Sequence, residues 1–144
     1  MKRIIMAVVL VSMTLFLTGC GNNYKAITYT KFNEVFKNKS NYNIINQTLK
    51  YEDRFERFLE ANGENIQFLY YEFKTEEEAR KYISDNYENR KKYKYKDRKD
   101  YITVKCRNKM YFYAIQTDKM VIVGNSPIKK NKKEIKRIFK ELGY

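Results

Sequence analysis

The chain has 144 residues, of which 30 are basic and 17 acidic, with no His, no Trp and only two Cys. The absence of His removes the commonest general base and the commonest partner for a nucleophile, and with two thiols in all it leaves no Cys/His set for zinc. A formal net charge of +13 favours polyanionic neighbours and opposes self-association, without saying anything about fold.

The first segment has the three regions of an export signal. Lys2 and Arg3 form a positive start, and Ile4 to Leu17 (IIMAVVLVSMTLFL) is an uncharged apolar run. As a helix it extends about 21 Å, short of the roughly 20 residues a spanning helix needs, so it reads as the apolar core of a signal peptide. Leu17-Thr18-Gly19-Cys20 follows and resembles the lipobox of bacterial lipoproteins. In that reading Leu17, Thr18 and Gly19 are recognised by the signal peptidase, a diacylglyceryl group is carried on the Cys20 thiol, and residues 1–19 are removed. Two acyl chains matter because each buried methylene is worth about 0.8 kcal/mol and one chain gives only marginal binding. The mature chain would be 125 residues with a net charge of +11, which is enough for one domain with a modest core. Its single remaining thiol, Cys106, rules out an intramolecular disulfide, so stability must come from packing, for which 14 Tyr and 9 Phe are available.

Residues 20–27, the lipidated cysteine and a polar stretch, read as a short tether, and 28–144 as a single domain. Helix signals begin at Thr28 or Thr30, with Phe32, Val35 and Phe36 on one face, and end near 38–41. Residues 42–48 suggest a short strand. Over 54–73, Asn62-Gly63 signals a hairpin turn in which both positions need φ > 0, between strands at 54–61 and 64–73. A helix over 54–61 followed by a strand is the alternative. Thr75 and Glu78 form a capping box and Glu76, Glu77 and Glu78 complement the dipole of the helix that follows, whose inner face is Ala79, Tyr82, Ile83 and Tyr87. Arg90 to Lys99 (RKKYKYKDRK) reads as a loop. Strands follow at 100–107, 109–116 and 119–124, with turns at Asn108 and Asp118. The last helix is capped by Asn131 and Glu134, carries Ile135, Ile138, Phe139 and Leu142 on one stripe, and stops at Gly143. The order α-βββ-α-βββ-α amounts to a tandem helix-plus-three-strands arrangement ending in a helix. It specifies an α+β domain with an antiparallel sheet of about five or six strands and helices packed on it.

With that layout, the chain resembles a family of small lipoproteins of low-GC Gram-positive bacteria. The resemblance rests on LTGC at 17–20, FKTEEEARKY at 73–82, KMYFYAIQTDKMVIVG at 109–124 and KKEIKRIFKELGY at 132–144. Where family members often carry an Arg-Val-Asp-Asn-like hairpin between the last two strands, this chain has Ile115-Gln116-Thr117-Asp118-Lys119, so no role is carried over to that turn. The resemblance implies a fold and a membrane address, and no chemistry.

The residues themselves contain no catalytic motif and no cofactor or metal signature. Cys106 shares a strand face with Ile102 and Val104 and reads as a small core residue. Glu76 to Glu78 are consecutive and diverge around a helix, so they do not converge on a cation. An envelope hydrolase would need a pocket with two facing carboxylates, which makes it the remotest reading. The distinctive feature is basic. Arg90, Lys91, Lys92, Lys94, Lys96, Arg98 and Lys99 stand with one acid, and Tyr93 and Tyr95 are interleaved. Lys129, Lys130, Lys132, Lys133, Lys136, Arg137 and Lys140 add a second basic run, largely on the outer side of the last helix. The expectation is a non-enzymatic, lipid-anchored module on the outer face of the cell membrane, binding an unspecified partner through 90–99. Alternatively it is a polyanion-binding protein proper, with teichoic acid or anionic lipid nearer candidates than nucleic acid. A protein partner is the third kind, and solvated charge serving solubility the plainest reading of the run.

Overall fold

The computed structural model describes residues 24–106 and 110–144. The segment read as a signal peptide (residues 1–19), the Leu17 to Cys20 motif and the expected turn at Asn108 lie outside the described residues. Helices are α1 (Tyr29–Lys37), α2 (Glu76–Tyr87) and α3 (Lys132–Leu142). Strands are β1 (Asn43–Asn46), β2 (Arg57–Gly63), β3 (Ile66–Glu72), β4 (Tyr93–Arg98), β5 (Tyr101–Cys106), β6 (Tyr111–Thr117) and β7 (Met120–Ser126). Short 3₁₀ turns occupy Thr48–Tyr51 and Lys129–Asn131.

The strands form one antiparallel sheet in the order β1-β2-β3-β7-β6-β5-β4. Strands β1 to β3 run from one edge to the centre. The connection through α2 then carries the chain to the far edge, and β4 to β7 return to meet β3. The α+β class with helices on an antiparallel sheet holds. The tandem arrangement changes, because the second unit has four strands to the first unit's three. The additional strand is β4, formed by the run read as a loop. Its alternation explains the difference: Tyr93 and Tyr95 pack on the core, whereas Lys94, Lys96 and Arg98 point the other way. A strand buried on one face needs only every second residue to be apolar, and lysines on an edge strand oppose pairing with another chain.

Two other local readings change. Residues 57–63 are strand, as the hairpin reading has it, but Gly63 pairs with Ile66, so the turn is Glu64-Asn65, with Asn65 at φ 57°. Gly63 is required for space instead. A Cβ there would lie 2.8 Å from Ile66 Cγ2 and 3.0 Å from Tyr42 Cε1. Asn131 does not cap α3; its side-chain amide donates to Ser126 Oγ and to the Asn65 carbonyl, tying the helix start to the hairpin turn. Glu134 accepts from Arg137 and from the Tyr42 hydroxyl. The caps at the other helices form as the residues suggest. Thr28 Oγ1 accepts from the Lys31 amide, Thr75 Oγ1 from the Glu78 amide, and the Glu78 carboxylate reaches back to the Lys74 amide.

Both sheet faces are buried, by different helices. On one face α1 and α3 cover Leu59, Phe68, Tyr70, Ile115 and Ile122. On the other, α2 and the Phe55 segment cover Phe58, Tyr71, Val104, Ala114, Val121 and Val123. Aromatic contacts dominate both layers. Phe36 meets Phe68 at 5.1 Å on the first, and Phe55, Tyr71, Phe73 and Tyr82 cluster within 4.8–6.5 Å on the second. Such pairs contribute about 0.5–1.5 kcal/mol each beyond their buried area.

Helix α3 approaches the sheet most closely at Gly124 of β7. A Cβ at that position would stand 2.7 Å from Phe139 Cε2, 2.9 Å from Phe68 Cε1 and 3.1 Å from Ile135 Cγ2. Gly124→Ala should therefore lower the stability of the domain by about 1–3 kcal/mol through overpacking. Urea denaturation measures this, and an unchanged midpoint would mean that α3 is not seated on β7 this tightly.

Candidate anion-binding face

Strand pairing builds the site from residues far apart in the sequence. Lys94 of β4 lies directly opposite Lys105 of β5, and Lys105 opposite Tyr113 of β6. One step along, Lys96 faces Thr103; one step further, Arg98 faces Tyr101. Because side chains alternate, all of these project from the face that carries α1 and α3. Helix α3 lies over β3 and β7 and reaches β6 where Phe139 meets Tyr113 edge-on at 4.6 Å. Beyond that line Lys94, Lys96, Arg98 and Lys105 are exposed. Lys105 Nζ stands 5.3 Å from the Tyr113 ring centroid, and Lys132 Nζ 5.7 Å from that of Tyr111. Burial, and then the neighbouring Tyr24 phenol, push the Tyr113 hydroxyl well above its ordinary value, and what Tyr113 offers its cation is the face of the ring.

The arrangement has an electrostatic cost. Like charges directly opposite on paired strands repel, and Lys94 and Lys105 are such a pair. Among the described residues none of Lys94, Lys96, Arg98 and Lys105 makes an ion pair. Other cations are committed. Arg137 binds Glu134 and Glu141, and Lys39 binds Glu141 at 2.8 Å. Lys119 bridges Glu56 and Glu72. The face that remains presents uncompensated positive charge beside aromatic rings.

The sequence-predicted residues divide across this geometry. Lys94, Lys96 and Arg98 belong to the open face. Tyr93 and Tyr95 do not stack outward, because they face α2, where Tyr93 meets Tyr87 at 5.0 Å and Phe112 at 5.1 Å. Lys92 reaches over the Tyr93 ring at 5.0 Å. Arg90 and Lys91 are exposed in the turn after α2, and Lys99 in the two-residue turn between β4 and β5. Residues missed by reading the run as a loop are Lys105, Tyr101 and Tyr113, whereas Lys132 comes from the second basic run. The signal that would have found them is the Tyr-Lys-Tyr-Lys alternation itself, continued after Lys99-Asp100 by Tyr101, Thr103 and Lys105.

The opposite side of the sheet has the other sign. Helix α2 carries four acids against two bases, whereas α3 carries five bases against two acids. Between α2 and β4 lies a cleft of about 520 Å³ lined by Glu76, Glu77, Arg80, Ser84, Glu88 and Asp97 among others. Several carboxylates gather around this hollow, and Glu76, Asp97 and Glu88 among them are engaged. Arg80 bonds Asp97 at 2.5 Å and stands 3.6 Å from Glu76, and Ser84 donates to Glu88. The Arg80 guanidinium also donates to the carbonyls of Arg98 and Lys99 and to Gln116 Oε1, so it acts as a strut fixing the β4–β5 hairpin to the fold. Cys106 shares the face of Ile102 and Val104 but is half-buried at the rim, not enclosed in the core. Among the described residues there is no group of three acid, His or Cys side chains placed to hold a metal ion, and no helix is long and apolar enough to cross a membrane.

No protein-family model, no curated protein and no solved structure matches this chain.

Removing the strut tests how the open face is held. Arg80→Ala should destabilise the β4–β5 hairpin by about 1–2 kcal/mol, so that amide exchange over 93–105 speeds up far more than in β2 and β3. Uniform acceleration along the chain would show that Arg80 supports the whole domain and has no particular hold on the hairpin.

Proposed function

We propose that the protein is a non-enzymatic, lipid-anchored extracytoplasmic module whose open sheet face binds phosphate-bearing polyanions. The observation that carries the reading is the row Lys94–Lys105–Tyr113, flanked by Lys96 and Arg98: four exposed cations, two of them in direct opposition, with aromatic rings alongside. An anion bound across the row relieves the repulsion that the bare strands carry, and a polymer of regularly spaced charges meets several cations at once. The rigid sheet fixes those cations in place, which lowers the ordering cost of binding relative to a mobile loop. Reading Cys20 as the lipidated residue puts this face outside the cell, where anionic wall polymers and head groups are the abundant polyanions.

Two experiments test the two halves. Exchanging Lys92, Lys94 and Lys96 for Gln should shift elution from heparin-like resin to markedly lower salt, and Lys105→Gln alone should do so in part. Retention equal to wild type in both would assign the basic run to solubility. For the address, Cys20→Ser should accumulate as unprocessed precursor in the expressing cell, whereas normal maturation of that variant would remove the lipid anchor from the account.

A further inference from the structure

The described chain begins against the basic face. Tyr24 stacks edge-on against Tyr101 at 4.8 Å, and against Tyr144 at 5.7 Å. The Tyr144 hydroxyl donates to the Lys25 carbonyl at 2.6 Å, and Ile27 packs on the same core, so residues 24–27 are seated on the fold. Tyr101 is the direct cross-strand partner of Arg98. Tyr24, the first described residue after Cys20, is therefore one strand away from the end of the cationic row. Lys94 and Lys105 lie four residues further along their strands, about 13 Å.

Only Gly21, Asn22 and Asn23 lie between Cys20 and Tyr24, and the four Cα-to-Cα steps of a fully extended chain cover at most about 14 Å. We propose that the occupant of the basic face is the phosphate surface of the bilayer that holds the lipid anchor, so that the domain lies with β4 and β5 on the membrane and α2 turned outward. This inference rests on the reading of Cys20 as lipidated and of the face as anion-binding, and it names the partner. Three observations favour the bilayer over a polymer reaching in from a distance. The tether is too short to let the domain move more than about two Debye lengths from the head groups at physiological salt. The attraction is intramolecular once the lipid is inserted, so weak contributions suffice; each basic residue near an anionic surface raises partitioning about fivefold. The charge separation has the matching sense, with the net acidic helix α2 on the side of the sheet away from the membrane. Docking in this way leaves the hollow bordered by Arg54, Phe55, Phe73, Glu78, Lys81 and Tyr82 facing the wall.

Lysine labelling of the lipidated mature protein, read residue by residue by mass spectrometry, tests the arrangement. The protein is reconstituted in vesicles of phosphatidylcholine alone or of phosphatidylcholine with phosphatidylglycerol, and flotation first verifies that the anchor has inserted. Lys94, Lys96 and Lys105 should label several-fold more slowly on the anionic vesicles, Lys50 and Lys74 equally on both, and added salt should abolish the difference. Equal labelling on both vesicles overturns the docking. In that case lipoteichoic acid is added to the neutral vesicles. Slower labelling of the same lysines would then leave the polyanion reading standing with a different occupant, and no change would remove both. The variant with Gln at 94, 96 and 105 replaces exposed side chains and retains the fold; on anionic vesicles its Lys132 should label at the rate seen on neutral ones.

Discussion

The seating of α3 on β7 at Gly124 governs what the rest of the molecule can present. Because that position has no side chain, Phe139 and Ile135 descend onto the sheet and Phe139 fills the space between Phe68 and Tyr113. The helix is thereby fixed over the centre of a seven-stranded sheet that is wider than α1 and α3 together. Of the two ends of that face, the β1–β2 end is closed by Phe32 and Phe36 of α1 and by Tyr42 just before β1. The β4–β5 end lies outside the helices, and an uncovered strand face must be polar to stay in water. Lysines and an arginine supply that polarity here, and their concentration on one side is a consequence of where the helix stops.

The opposite face explains why those strands stay ordered with half their surface in solvent. Tyr87, Tyr93 and Phe112 pack mutually on the α2 side, and Arg80 reaches across to the β4–β5 turn. The edge strand is thus held from behind. Its cations are carried on a scaffold anchored by aromatic contacts and one guanidinium, an arrangement that keeps like charges adjacent without letting the strand peel away.

How far the fold could be read in advance depended on whether the deciding contact was local. Thr75, Glu78 and the apolar stripe of α2 carry their own instructions, as do Gly143 and the stripe of α3, and these elements formed as their residues suggest. Strand β4 was missed because seven basic residues in ten outweighed a period-two pattern whose apolar half is only Tyr93 and Tyr95. Gly63 reads as a turn residue because its crowding by Ile66 and by Tyr42, 21 positions away, arises only once the hairpin packs, and no local pattern shows that. Asn131 was expected to cap a helix and instead holds a hairpin turn. The candidate face was half legible: Lys94, Lys96 and Arg98 stood in the basic run, but Lys105 and Tyr113 join them only through strand register.

The central claim is that fixed positive charge on the β4–β5 face performs the binding. Its most direct test is the salt dependence of binding between the domain and lipoteichoic acid. Four cations meeting phosphates should release counterions, so log K should fall against log salt with a slope of about −3 to −4. A slope near zero, or no binding at low salt, would contradict the account and turn attention to a protein partner.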